Sequence, residues 1–245
     1  AIVFVGTLAG EGSDRESLSL DDGCNGDSPN YPGDTPQCRG PAHTQNALVD
    51  AVAAANPNTI VVASVPGAVV LPFAPRVSAI LTTFLAGQQW GAAISDVLFG
   101  AVNPSARLPL TFPEHENDVP LSPSQWPGVA LPNASSGLTS VVRYSERLEI
   151  GYRFFDAHNV TPAFAFGHGL SFTSFRYSDC VAEQSQVSFN LSNVGSAAGA
   201  EVAQLYLGFP SHAGEPPKVL RGFRKVYLHP GATSHVTFPL TRRDL

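Results

Sequence analysis

The chain has 245 residues, of which 43% are apolar and only 14% charged, with a formal net charge of −6. That length suits one large domain or two ordinary ones around a real core. It contains no basic run that would fit a nucleic acid, and no apolar run of the roughly 18–20 residues needed by a membrane helix, so neither partner is expected.

The first six residues, AIVFVG, form a short apolar run of the kind buried in a parallel sheet covered on both faces. Next comes AGEGSDRESLSL, where Glu11 stands between Gly10 and Gly12. This places it just past the carboxyl end of a strand, the edge where open α/β sheets bind ligands. The glycines let a ligand approach closely. Ser13, Asp14 and Arg15 supply hydrogen bonds and an ion-pair partner, a setting in which a carboxyl can donate a proton. The competing reading is a solvated turn whose glycines serve geometry alone, and local spacing by itself favours that turn.

Cys24 and Cys38 bracket a polar, Gly- and Pro-rich loop that cannot hold itself in one conformation. A disulfide between them would offset roughly 3 kcal/mol of its disorder; the alternative is two reduced thiols. HTQNALVDAVAAANPN is predicted to be a helix with Ala47, Leu48, Ala51, Val52 and Ala55 on its apolar face, stopped by Asn56-Pro57. TIVVASV and VSAILTTFL read as the next two strands. GQQWGAAISDVLFG reads as a helix with Trp90, Ile94, Val97 and Leu98 inward and Gly100 at its end. This alternation predicts an open, mostly parallel sheet with helices on both faces.

Residues 103–140 are loop-like and rich in proline, as functional or wrapping loops are. Trp126 within them reads as a loop anchor, with a sugar-stacking platform as the second reading. VRYSERLEIGYRFFD returns to regular structure, and TPAFAFGHGLSFTSFRY is a turn-rich connector in which His168 is flanked by glycines. From about residue 178 the pattern becomes antiparallel β. Val187, Phe189 and Leu191 alternate, as do Ala203, Leu205, Leu207 and Phe209, and then Val236 and Phe238. Such runs predict a small immunoglobulin- or fibronectin-like sandwich, with room for five strands or fewer. The expected organisation is an α/β domain over 1–155, a connector over 156–180 and a β-sandwich over 181–245. The first domain reads as cut short at its amino end and the second at its carboxyl end.

Acceptor sequons stand at Asn133, Asn159 and Asn190. With the cysteine-bracketed loop they point to a secreted glycoprotein. No leader peptide is visible, although one could precede an opening strand. Cys180 is left without a sequence partner. There is no Gly-x-Ser-x-Gly elbow, phosphate loop or paired histidines at metal-ligand spacing.

Taken in order, EGSDRESLSL, NALVDAVAAANPNTIVV, GQQWGAAISDVLFGAVNPSARLPLTFP, RYSERLEIGYRFFD, FAFGHGLSFTSFRY and GAEVAQLYLGFP…PPKVLRGFRKVYLHPG resemble the carboxyl-terminal half of family 3 glycoside hydrolases. The likeness implies that family's α/β-sandwich domain followed by a fibronectin type III-like domain. It also implies a retaining exo-β-glycosidase, foremost a β-glucosidase acting on terminal β-D-glucosyl residues of a glucoside or oligosaccharide. In such enzymes an aspartate of a preceding barrel domain is the nucleophile, and a glutamate of the α/β-sandwich is the general acid/base. The family's Glu-Gly-x-Asp-Arg pattern falls on Glu11, Gly12, Ser13, Asp14 and Arg15, so the resemblance assigns the acid/base to Glu11, with Asp14 and Arg15 orienting its loop. A retaining mechanism uses two carboxyls about 5–5.5 Å apart, and nearness to the nucleophile raises the pKa of the acid. No metal or organic cofactor is implied, and the barrel is the implied partner. The chain departs from common family patterns at Ala86-Gly87-Gln88-Gln89, Ser145-Glu146-Arg147 and Ala165-Phe166-Gly167. The alternatives are a β-xylosidase or exo-β-1,3-glucanase of the same family, and a non-catalytic module binding glycans or proteins of a wall or matrix.

Overall fold

In the structure, a computed structural model, residues 1–7, 9, 15, 17–21, 44–131 and 140–245 are described. They fall into two compact units. The first comprises Ala1–Gly87, Leu110–Arg147 and Val160–Phe164, and the second Gln88–Pro109, Leu148–Asn159 and Ala165–Leu245.

The first unit is built on a parallel sheet of β1 (Ile2–Gly6), β2 (Ile60–Ser64) and β3 (Ala79–Thr83), in the order β1-β2-β3. The register sets Val3 beside Val61 and Val61 beside Ile80. The central strand is buried on both faces, with Val61, Val62 and Ala63 all at 0% exposure. That burial is what a continuous apolar run in a parallel sheet demands. β1 departs from the two-faced burial expected of it. Val3 and Val5 are buried, but Ile2 and Phe4 are exposed, because β1 lies at the edge of this sheet.

The helix α1 (Gln45–Ala55) lies against β1. Thr44 caps it, its Oγ1 accepting from the Ala47 amide at 3.2 Å, and Asn56 ends it ahead of Pro57. Its inward face differs from the expected one. Val49 and Ala53 are buried, while Leu48, Ala51 and Ala55 are exposed. Alanine and valine occur all around this helix, so apolar periodicity does not choose a face; the polar contacts of Gln45 at its first turn do. Further on, Phe112 and Phe164 meet edge to face, with an interplanar angle of 84° and backbone hydrogen bonds of 2.8 and 3.2 Å between them. A short hairpin of β4 (Val129–Ala130) and β5 (Ser140–Val141) completes the unit.

The second unit holds α2 (Trp90–Leu98), α3 (Tyr152–His158) and five strands. In α2, Ile94 is buried and Trp90, Val97 and Leu98 are half-buried, the face expected from the sequence. The strands are β6 (Phe175–Ala182), β7 (Gln186–Asn193), β8 (Gly199–Leu207), β9 (Val219–Leu228) and β10 (Thr233–Pro239). They form antiparallel sheets ordered β10-β7-β6 and β8-β9. Phe189, Leu191, Ala203, Leu228, Val236 and Phe238 make the core. α3 is joined to this unit by Tyr152, whose ring stacks on Phe166 at 4.9 Å and meets Tyr206 edge-on, while its hydroxyl accepts from the Leu220 amide. β6 begins at Phe175, inside the stretch read as a connector. Most of its residues are exposed, so it carries little of the alternation that marks a half-buried strand.

Asn193 is 1% exposed and fully satisfied. Its Nδ2 donates to the carbonyls of Ala197 and Leu228, and its Oδ1 accepts from Thr173 Oγ1 and the Gly195 amide. At the same end, Glu201 accepts from Arg107 and from the Tyr177 hydroxyl. Burial, and then the Glu201 charge, push the Tyr177 phenol well above its ordinary value. Replacing Leu191, which is 0% exposed, by alanine is expected to cost about 2–5 kcal/mol. Asn193→Ala is expected to cost about 1–3 kcal/mol through its orphaned partners. Denaturant unfolding of each variant measures both losses.

Candidate active site

The chain leaves β1 at Gly6 and Thr7 and is next described at Arg15 and Ser17–Asp21; in sequence, Glu11 falls between these two limbs. Glu11, Ser13 and Asp14 themselves lie outside the described residues, as do Cys24, Cys38 and Asn133. The limbs on either side are described in detail.

At the departing limb, Gly6 sits at the carboxyl end of β1, and the Thr7 amide continues the ladder to the Ser64 carbonyl at 3.2 Å. A Cβ on Gly6 would come within 2.9 Å of the Ser64 carbonyl oxygen, so a residue without a side chain is required for this close approach. The returning limb is pinned in sequence order. Arg15 Nη2 donates to the Ala68 carbonyl at 2.9 Å, while its Nη1 is buried with no hydrogen-bond partner among the described residues. The Leu18 amide donates to both carboxylate oxygens of Glu116 at 2.9 Å. Ser19 bridges Val70 in parallel, with the Val70 amide donating to the Leu18 carbonyl at 2.8 Å. Leu20 is 1% exposed and anchors the limb in the core.

Gln45, the first residue of α1, joins these limbs, and Asp21 binds the start of the helix from the returning one. Gln45 Oε1 accepts from the Gly6 amide at 2.8 Å, and its Nε2 donates to the carbonyls of Gly6 at 2.8 Å and Leu20 at 2.7 Å. Asp21 Oδ1 accepts from the Gln45 amide at 2.8 Å, and its Oδ2 accepts from Asn46 Nδ2 at 2.6 Å. A carboxylate at the amino end of a helix satisfies free amides and opposes the positive end of the helix dipole. Glu116 is presented by a turn that Asp118 caps, its Oδ2 accepting from the amides of Glu114 at 2.8 Å and His115 at 2.9 Å. The His115 amide is the main cause that holds the Asp118 carboxyl below its ordinary value of 3.8, with the Glu114 amide adding to it against the effect of burial.

Sequence reasoning singled out Arg15 in this frame but missed Gln45, Asp21 and Glu116. The polar pair Gln45-Asn46 at the start of a largely apolar helix was the available signal. Nothing in the sequence links Gln45 to a glycine 39 positions earlier. Trp126 stands elsewhere in the first unit, 48% exposed. Its loop is held by Ser122, Gln125 and Glu146, with Gln125 Nε2 donating to Glu146 Oε2 at 3.0 Å and holding that carboxyl below its ordinary 4.5. Of the sequons, Asn159 is exposed and ends α3 in the left-handed conformation at φ 52°. Asn190 lies within β7, its Nδ2 donating to Asp179 Oδ2 at 2.8 Å. Cys180 is exposed. Among the described residues, no group of three or more His, Cys, Asp or Glu side chains is placed to hold a metal, and no helix is long and apolar enough to cross a membrane.

Comparison with known proteins places the chain in a family. Residues 1–172 match the glycosyl hydrolase family 3 C-terminal domain. The chain belongs to glycoside hydrolase family 3. Residues 201–245 match a fibronectin type III-like domain, on the strands β8 to β10. Among its family 3 relatives, a probable β-glucosidase G of Emericella nidulans is 39% identical over 280 residues, covering 100% of this chain and 30% of that protein. The thermostable β-glucosidase B of Acetivibrio thermocellus is 40% identical over 208 residues, covering 81% of this chain and 26% of the relative. The crystal structure of DesR, a β-glucosidase from Streptomyces venezuelae in complex with D-glucose, superposes with a TM-score of 0.83 at 36% identity, covering 100% of this chain and 29% of that one. The chain thus spans about 30% of the length of such relatives.

The pKa of Asp118 gives the site's frame a pH dependence. A carboxyl whose pKa is lower folded than unfolded contributes stability above its unfolded value and loses it as pH falls through the folded one. The Asp118 contribution is therefore present above about 3.8 and is lost below it. Asp118→Asn is expected to be less stable than the parent at neutral pH, with the gap closing as pH falls from about 4 to 2. Thermal unfolding across that range measures the convergence.

Proposed function

We propose that this chain is the carboxyl-terminal part of a secreted, retaining exo-β-glucosidase, in which Glu11 is the general acid/base and a barrel domain supplies the nucleophile. The observation that carries the reading is the position of the Glu-Gly-Ser-Asp-Arg stretch on a segment leaving the carboxyl end of β1, in a chain matched along its whole length by proteins named β-glucosidases. The substrate class follows from those names and from the glucose complex of DesR.

The chemistry asked of Glu11 has two stages. As the glycosidic bond breaks, its protonated carboxyl gives a proton to the departing oxygen while the nucleophile bonds to the anomeric carbon. The resulting carboxylate then takes a proton from water as that water displaces the nucleophile, restoring both groups. A carboxyl close to another carboxylate is hard to ionise, which suits the first stage at moderate pH. Asp14 and Arg15 orient this segment, and the Arg15 contact to Ala68 supports that role by fixing where the segment returns. Cys24–Cys38 pairing and glycans on Asn133, Asn159 and Asn190 belong to the same proposal.

Glu11→Gln in the polypeptide that carries this sequence with its barrel is expected to lower kcat/KM on alkyl β-glucosides by about 10²–10⁴. Turnover of alkyl and nitrophenyl β-glucosides, with the matching β-xylosides in parallel, checks it. Near-parental rates in the variant would remove Glu11 from the mechanism, and a preference for xylosides would replace the sugar assignment.

A further inference from the structure

We infer that Gln45 is a positioning residue for the acid/base step, its carboxamide tying together the two limbs between which Glu11 falls in sequence. The inference rests on the assignment of Glu11 made above. Among the described residues, Gln45 is the side chain that hydrogen-bonds to both limbs: to the amide and carbonyl of Gly6 where the chain departs, and to the carbonyl of Leu20 where it returns.

A carboxamide suits this task because it presents an acceptor and two donors in one plane. Here Oε1 and Nε2 grip the Gly6 peptide groups in the manner of another strand, and the second Nε2 hydrogen is free to reach Leu20. The side chain is itself held from behind. Its own amide donates to Asp21 on the returning limb, and its residue opens a helix whose Val49 is wholly buried. A move of Gln45 therefore moves both limbs together. The other pins, Arg15 on Ala68 and Leu18 on Glu116, act on the returning limb alone.

An acid that must meet a leaving oxygen within hydrogen-bond distance is sensitive to displacement, and misplacement by about 1 Å can cost about 10²-fold in rate. Loss of the clamp therefore strikes proton donation before it strikes binding. The demand for proton donation grows with the basicity of the leaving group. A nitrophenolate departs with little help, whereas an alkoxide does not depart unprotonated. This separates positioning from mere stability, because partial unfolding lowers the rates on all substrates by one common factor.

The test uses the barrel-containing polypeptide, a series of aryl and alkyl β-glucosides of rising leaving-group pKa, and four variants: Gln45→Leu, Gln45→Glu, Val49→Ala and Glu11→Gln. Gln45→Leu removes all three hydrogen bonds. Gln45→Glu keeps an acceptor for the Gly6 amide but, once ionised, cannot donate to Gly6 or Leu20. It reads the proposal if the leucine variant fails to fold. Both are expected to lose roughly 10- to 100-fold in kcat/KM on the alkyl glucosides while losing several-fold less on the nitrophenyl glucoside, with KM little changed. Val49→Ala is expected to lower the melting temperature without changing the dependence on leaving group. Equal losses for the Gln45 variants on every substrate, or a Val49→Ala profile that matches theirs, would reduce Gln45 to a structural residue. If Glu11→Gln steepens the dependence and the Gln45 variants do not, the positioning role alone fails. If Glu11→Gln leaves it unchanged, the acid/base assignment falls and this role falls with it.

Discussion

A parallel strand that ends where the chain turns out of the sheet sets a problem for the backbone. Its last peptide groups must be satisfied, and the chain must turn away from the ladder. In this protein the Gln45 carboxamide answers the first demand by bonding both backbone groups of Gly6. That contact fixes how α1 enters, which face of the helix is turned inward, and where the returning limb comes to rest. Val49 and Ala53 are buried because Gln45 is committed to the strand end, and Asp21 caps the helix because Leu20 is drawn to the same amide. Placement of the site and packing of the first core are thus one arrangement.

Glu116 extends that logic to a remote stretch of the chain. Its carboxylate receives the Leu18 amide only because Asp118 holds the turn that presents it. The path from Asp118 through Glu116 to Leu18 consists of charge-assisted hydrogen bonds, which are stronger than neutral ones. Two acidic side chains in a loop of little regular structure therefore hold the returning limb in place.

The sequence made the broad plan visible where one residue type carried one meaning. TIVVASV could only be a strand buried on both faces, and the alternation of Val187, Phe189 and Leu191 could only be half-buried. Colinear motifs made the family visible as well, and with it the interest of Glu11. The reading stopped where meaning came from a distant partner. The inward face of α1 was hidden because its alanines look alike on every side, and Gln45 decides it through contacts with Gly6 and Leu20. β6 was hidden because most of its residues face outward, and the packing of α3 because Tyr152 reaches rings and an amide far along the chain. Asn193 belongs with these. Two of its four hydrogen bonds inside the core reach Thr173 and Leu228, far from it in the chain.

The bonds from Asp21 to the first residues of α1 carry one more consequence. They bring position 21 to position 45, so whatever lies between begins and ends at almost the same point. The entropy of closing such a loop grows only with the logarithm of its length, and each doubling adds about 0.6 kcal/mol. The helix cap, the Gln45 clamp and the parallel sheet are therefore held together by bonds between positions 21 and 45 themselves, whatever the length of chain that joins them.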